Sequence, residues 1–119
     1  MKLLGKLFGR SKRSDYSEVI HVEIAQKLVE TRELIATNPM PIEFGGAEGL
    51  LNTVYLPPSA IEKFNIIIER LRNLAEAGEI DHLSVRQEHR GASIVPTRLY
   101  FVCSHGDQEG LYNLKVDVW

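Results

Sequence analysis

The stretch between Pro57 and Gly78 constrains the fold of this chain more than any other. Ser59 and Glu62 have the spacing of a capping box, and Gly78 stands where helices commonly end on a left-handed residue. Between them, apolar residues recur at intervals of three and four, which is typical of a helix with one buried face. We therefore predict a helix over residues 59–77. Its buried face comprises Ile61, Phe64, Ile67, Ile68, Leu71, Leu74 and Ala75.

The same helix carries one apolar residue on its polar side. Ile66 projects among Glu62, Glu69, Arg70 and Asn73, which makes it a candidate interface residue. The buried face also matches a heptad seam, but two heptads are too few for a coiled coil. Packing of this helix against a sheet is therefore favoured.

The last forty residues have the pattern of an antiparallel meander. Leu83 and Val85 alternate with polar neighbours, and residues 94–103 are apolar on both faces, as in a central strand. A polar loop over 104–110 precedes the final strand. One face of that strand comprises Tyr112, Leu114, Val116 and Val118. Trp119 falls on the opposite face, and its aromatic ring makes it a second candidate interface residue.

The pattern of residues 15–56, the first part of the body that follows the N-terminal segment, predicts a helix followed by a hairpin. Asp15 and Glu18 form a capping box for a helix that extends through Ala36, with His21 in its broad apolar sector as a hydrogen-bonded core histidine. A strand over residues 18–24 before a shorter helix is the alternative. Residues 42–44 and 50–56 are typical of two short strands around a glycine-rich turn. The order α-ββ-α-βββ predicts an α+β fold, with two helices on one face of an antiparallel sheet.

Residues 1–14 form a basic N-terminal extension that differs in charge from everything after it. Wound as a helix at about 100° per residue, its apolar residues fall within an arc of roughly 160°. This apolar face comprises Met1, Leu3, Leu4, Leu7 and Phe8. The opposite side comprises Lys2, Lys6, Arg10, Lys12 and Arg13. The segment resembles the short membrane-targeting ends of several bacterial peripheral proteins.

The extension is too short to be a stable helix in isolation. Helices below about 12–15 residues are marginal in water, and Gly5 and Gly9 each cost about 1 kcal/mol relative to alanine. We expect it to fold on a surface, either an anionic membrane or a groove on a partner protein. The alternatives are a disordered solubilising extension and a segment that packs on its own acidic body.

Composition limits the class of protein. With 119 residues, 44% apolar and 25% charged, we expect one domain over residues 15–119 and no cofactor. A single cysteine excludes an internal disulfide, and no apolar run approaches the ~20 residues of a membrane-spanning helix. The N-terminus lacks the apolar core of a secretory signal, although its pattern is also that of a mitochondrial presequence. We expect a cytoplasmic protein that binds the inner face of the membrane peripherally.

No catalytic or metal-binding motif stands out in the body. Cys103 and His105 are the one close pair of nucleophile- or metal-type side chains, and only His82 and His89 lie near them in sequence. A zinc site needs about four ligands, so we expect no metal, and we interpret Cys103 as a buried strand cysteine. The glycine run over 45–49 lacks the lysine of a phosphate-binding loop and is typical of a turn.

Three functional hypotheses follow. The first is a non-catalytic interaction protein whose extension binds an anionic membrane or a protein partner. The second is an immunity-type inhibitor whose acidic body covers a basic partner, and the third is a small enzyme that uses Cys103 and His105. We do not expect nucleic acid as a partner, because the acidic body would repel it. The sheet edge and the helix over 59–77 are candidate surfaces for a homo-oligomer.

Overall fold

The computed structural model describes residues 15–41, 44 and 52–119. Within these ranges the helices and strands follow the predicted order, and all strand pairs are antiparallel, which confirms the α+β fold. The elements are α1 (Val22–Glu30), β1 (Ile35–Thr37), β2 (Val54–Leu56), α2 (Pro58–Glu76), β3 (His82–Glu88), β4 (Arg98–His105) and β5 (Gln108–Asp117).

Helix α2 begins one residue before the predicted capping box. Pro57 is the N-cap and Pro58 is the first helical residue, and no side chain caps this end by a hydrogen bond. The predicted cap formed by Ser59 and Glu62 is therefore wrong. The reason is that the proline ring presets a helical φ and has no N–H that needs a partner, so Pro58 itself starts the helix.

The C-terminal end of α2 is as predicted. Gly78 follows the C-cap residue Ala77 with a φ of 74°. Its N–H donates to the carbonyl of Ala75 at 3.0 Å, and the N–H of Glu79 donates to the carbonyl of Leu74 at 2.9 Å. These two bonds are the Schellman pattern, which satisfies the last carbonyls of a helix.

Helix α1 is shorter than predicted. The carboxylate of Asp15 accepts a hydrogen bond from the N–H of Ser17 at 2.9 Å, which forms a local turn instead of a helix cap. The helix begins at Val22, so His21 is its exposed N-cap residue, and the prediction that His21 lies in the core is wrong. The alternative of a strand over 18–24 is also wrong, because the last three of these residues are helical.

Arg32 ends α1 with the same hydrogen-bond pattern. Its φ is 64°, its N–H donates to the carbonyl of Val29 at 3.1 Å, and the N–H of Glu33 donates to the carbonyl of Leu28 at 2.8 Å. A side chain with a Cβ is strained in this left-handed region. The reversal at this point ends the helix before the predicted Ala36, which lies in β1 instead.

Two substitutions at these helix ends are expected to change stability in opposite directions. Gly78→Ala places a Cβ on left-handed backbone with no atom within 4 Å, so backbone strain alone lowers the free energy of unfolding, by about 1 kcal/mol. Arg32→Gly removes such strain, and the added freedom of the unfolded chain offsets part of the gain, which leaves about 0.5 kcal/mol. Urea denaturation of both variants measures the two changes in the free energy of unfolding. Changes of the same sign contradict a left-handed backbone at both helix ends.

The short sheet differs from the predicted hairpin. Strand β2 is fully buried and lies within the predicted strand over 50–56, but its antiparallel partner is β1, with Ile35 opposite Leu56. Phe44 makes a turn contact, in which its N–H donates to the carbonyl of Pro41 at 3.0 Å. The rest of the predicted strand over 42–44 and the glycine-rich turn lie outside the described residues.

The meander has one face against α2 and one face toward solvent. Strand β4 lies between β3 and β5 and directs Leu99, Phe101 and Cys103 into the core, where all three are fully buried. The ring of Phe101 lies 6.4 Å from that of Phe64 on α2. The predicted buried face of α2 is thereby confirmed, and Ala25 of α1 joins the same cluster of buried side chains.

Candidate functional site

The predicted membrane- or partner-binding residues of the extension lie outside the described residues. The structure does show where the extension joins the body. Tyr16 is only 2% exposed, and its ring meets that of Trp119 edge-on at 5.7 Å between centroids. The hydroxyl of Ser93 donates to the carbonyl of Tyr16 at 2.7 Å. The chain that follows the extension is therefore fixed against the C-terminus and the β3–β4 loop.

Trp119 is half-buried and held by specific contacts. Its indole Nε1–H donates to the carbonyl of Val95 at 3.0 Å, and the guanidinium of Arg90 lies over its ring at 4.6 Å from the centroid. Its predicted interface role stays a prediction. Trp119 also borders a surface depression of about 420 Å³. The other lining residues are Glu88, His89, Arg90, Thr97, Arg98 and Asp117.

This depression continues onto the open face of the meander. The sheet register aligns Arg86, Tyr100 and Lys115 across the three strands, one on each. In the next row toward the depression, it aligns Glu88, Arg98 and Asp117. We call these two rows the open face. Side chains on it alternate with the buried ones, because successive residues of a strand point to opposite sides.

Tyr100 organises the basic residues of the open face. The guanidinium of Arg86 lies over its ring at 4.9 Å from the centroid, and that of Arg98 lies at 5.8 Å. Arg98 also donates from Nη1 to the Tyr100 hydroxyl at 3.1 Å and from Nε to Asp117 Oδ1 at 2.5 Å. These contacts hold two cationic groups beside one partly exposed ring.

The ion pair on the open face is charged at neutral pH. The hydrogen bond from Arg98 holds the pKa of Asp117 below its ordinary range, and the bonds to Tyr100 and Asp117 raise the pKa of Arg98. A lowered carboxylate pKa contributes to stability above the ordinary aspartate range. That contribution is lost as the pH falls through the lowered value. The pair is solvent-exposed, so its role is to position Arg98 rather than to stabilise the fold.

Sequence reasoning missed the row formed by Arg86, Tyr100 and Lys115. Alternation placed Lys115 on the polar side of the last strand, but only the register shows what lies opposite it. The register also shifts between Cys103 and His105, an irregularity that no pattern in the residues announced. The available signal was Arg98 and Tyr100 at alternate positions of one strand, with Arg86 on the strand before it.

Ile66 is the most exposed large apolar side chain in the described part of the chain, at 61%. This confirms its place on the polar side of α2. A single exposed apolar residue is ordinary on a protein surface, so its interface role stays a prediction. The other exposed large apolar side chains in the described part of the chain are Ile20, Ile24, Ile35 and Leu111.

Cys103 and His105 do not form an activated pair. Cys103 is fully buried, and desolvation raises the pKa of its thiol, whereas His105 is exposed beyond the register shift. A nucleophilic cysteine needs the opposite environment, with a lowered pKa and access to substrate. The interpretation of Cys103 as a buried strand cysteine is confirmed. Across residues 15–41, 44 and 52–119, no group of three or more His, Cys, Asp or Glu side chains is arranged to hold a metal ion.

Cys103 is expected to react with a thiol reagent many times more slowly in the native protein than in urea, because reaction requires opening of the core. Absorbance assays of thiol release measure both rates. His105→Ala is the matched control and should leave the native rate unchanged. A native rate equal to the unfolded one, or a rate that depends on His105, would restore the enzyme hypothesis.

Comparisons with known proteins identify no family for this chain. No protein-family model matches the chain, and neither a curated protein nor a solved structure matches it. In the part of the chain that the structure describes, neither helix has the length and apolar character needed to cross a bilayer.

Proposed function

We propose that this protein is a non-catalytic interaction protein that associates reversibly with an anionic membrane surface through its first thirteen residues. The observation that carries the proposal is the separation of five basic from five apolar side chains on opposite sides of a helix wound through this segment. An interfacial helix needs this arrangement, because its apolar side enters the acyl boundary while its basic side meets the headgroups.

The magnitudes support weak and reversible binding. Burial of Leu3, Leu4, Leu7 and Phe8 contributes at most about 1.5–3 kcal/mol each. Each basic residue near an anionic leaflet adds about 1 kcal/mol. Ordering thirteen free backbone residues costs about 1–2 kcal/mol each, which is as large as this sum, so binding is weak and reversible rather than tight. The membrane is favoured over a partner groove because apolar burial and charge attraction of this kind need only lipid chemistry and no specific protein surface.

Vesicle co-sedimentation of the full chain tests this proposal. We expect binding to vesicles that contain anionic lipid, with a gain of helical signal in far-ultraviolet circular dichroism. Vesicles of neutral lipid should bind much less, and rising salt should weaken the anionic interaction. Equal binding to both vesicle types, or none to either, contradicts the proposal.

The charge of the body supports a second candidate function. Residues 14–119 contain nine basic and sixteen acidic residues, a formal charge of −7, which suits an immunity-type inhibitor of a basic protein. Such a protein forms a stoichiometric complex that weakens with salt. A pull-down compares the full chain with a variant whose extension has been made polar. A basic partner protein recovered equally by both favours this candidate.

A further inference from the structure

We propose that the open face of the meander is a second contact with the anionic lipid surface. This inference rests on the proposed function and adds to it the orientation of the folded domain at the membrane. The headgroups face the two rows of the open face, which are Arg86, Tyr100 and Lys115, and Glu88, Arg98 and Asp117. The α2 side of the sheet faces away from them. The extension then attaches the protein, and the open face orients the domain.

The first argument is position. Tyr16, which follows the extension closely, packs on Trp119. Trp119 borders the same depression as Arg98 and Asp117 of the open face, and Arg90 lies over its ring. A membrane that holds the extension therefore lies near this end of the sheet, where the open face begins.

The second argument is charge. The open face and the adjoining Arg90 together carry four basic and two acidic side chains. One of those acids, Asp117, is held by Arg98. The remainder of residues 14–119 contains five basic and fourteen acidic residues. An anionic surface repels this remainder, so the orientation that brings the open face toward the lipid has the lowest electrostatic cost.

The third argument is the state of the Tyr100 ring. Arg86 covers the ring face at 4.9 Å, so a nucleobase cannot stack there without displacing the guanidinium. Guanidinium groups present several N–H donors to phosphate, and tyrosine favours the boundary between headgroups and acyl chains. The contacts therefore fit lipid phosphates better than a single-stranded nucleic acid.

The test compares two double variants of the full chain on anionic vesicles. Arg86→Gln with Lys115→Gln removes two charges from the open face. Lys27→Gln with Arg70→Gln removes two exposed charges from the helices and is the matched control. We expect the first variant to bind about 10- to 30-fold more weakly than the unmodified chain, and the control to bind within about twofold of it.

The outcomes separate this inference from the proposed function. If the unmodified chain binds and the two double variants bind as well as each other, the open face is not a lipid contact, and the proposed function is unaffected. If the unmodified chain fails to bind, the proposed function itself is wrong. Lys115→Gln alone keeps both arginine–tyrosine contacts and should weaken binding by a smaller factor, which guards against a folding defect.

A soluble polyanion provides the last arm of the test. A single-stranded oligonucleotide should neither bind the unmodified chain tightly nor compete with anionic vesicles. Competition that disappears in the variant with Arg86→Gln and Lys115→Gln would overturn the assignment to lipid.

Discussion

Phe101→Ala is expected to lower the free energy of unfolding by about 3–5 kcal/mol. Phe101 is fully buried on the central strand of the meander, and its ring contacts Phe64 of α2. Removal of the ring leaves a cavity between the sheet and the helix, where backbone on both sides limits collapse. Because small domains have only about 5–15 kcal/mol of stability, this single change brings the protein close to unfolding.

Urea denaturation followed by circular dichroism measures the effect, with Ile66→Ala as the control. Ile66 is an apolar residue on the exposed side of the same helix, so its loss should change the free energy of unfolding by no more than about 0.5 kcal/mol. A loss below about 1 kcal/mol for Phe101→Ala, or equal losses for the two variants, contradicts the packing of α2 on the meander.

Leu7→Asp combined with Phe8→Asp is expected to weaken binding to anionic vesicles by about 100-fold or more. Each replacement removes about 1.5–3 kcal/mol of apolar burial, and each aspartate adds a negative charge on the inserted side. Vesicle titration with a fluorescently labelled chain measures the affinity.

The same double variant also tests whether the extension packs on its own body. If the extension contacts only lipid, the double variant and the unmodified chain should have the same free energy of unfolding in the absence of vesicles. A clear loss of stability in Leu7→Asp with Phe8→Asp, together with unaltered vesicle binding, indicates an intramolecular role for the apolar side. Leu111→Ser, at an exposed apolar site of the body, is the control and should alter neither quantity.

The elements that were predictable from sequence are those whose signals agree with one another. In α2, apolar periodicity and the glycine at its end point to the same segment, and in β5 strict alternation separates Leu114 and Val116 from polar neighbours. Agreement of local signals is what specifies a single structure. The exact start of α2 differed because a proline at the first position competes with a serine cap.

The first helix was not predictable in its extent, because two local effects interrupt its period. The turn at Asp15 and the left-handed Arg32 leave only Val22–Glu30 helical. Arginine at a left-handed position carries no sequence signal comparable to glycine. The pairing of β1 with β2 then follows from this early end, since Ile35 is released to form a strand.

The two parts of the candidate site, the extension and the open face, also differ in how far the sequence predicts them. The pattern of the extension is visible in the residues themselves, since it needs only a helical period. The open face needs the register of three strands, and a shift of one residue would move Tyr100 to the other side of the sheet. Its aromatic and basic residues are brought together by hairpin geometry, so the residue pattern alone does not show which of them lie side by side.

One exchange of neighbouring residues tests the central claim most directly. Lys6→Leu combined with Leu7→Lys keeps the composition and charge of the extension but places a lysine in the middle of the apolar arc. Affinity for anionic vesicles, measured beside that of the unmodified chain, should fall at least about tenfold, because the apolar side can no longer insert as a unit. Equal affinity of the two chains would show that net charge alone holds the protein at the surface, and would contradict an amphipathic helix.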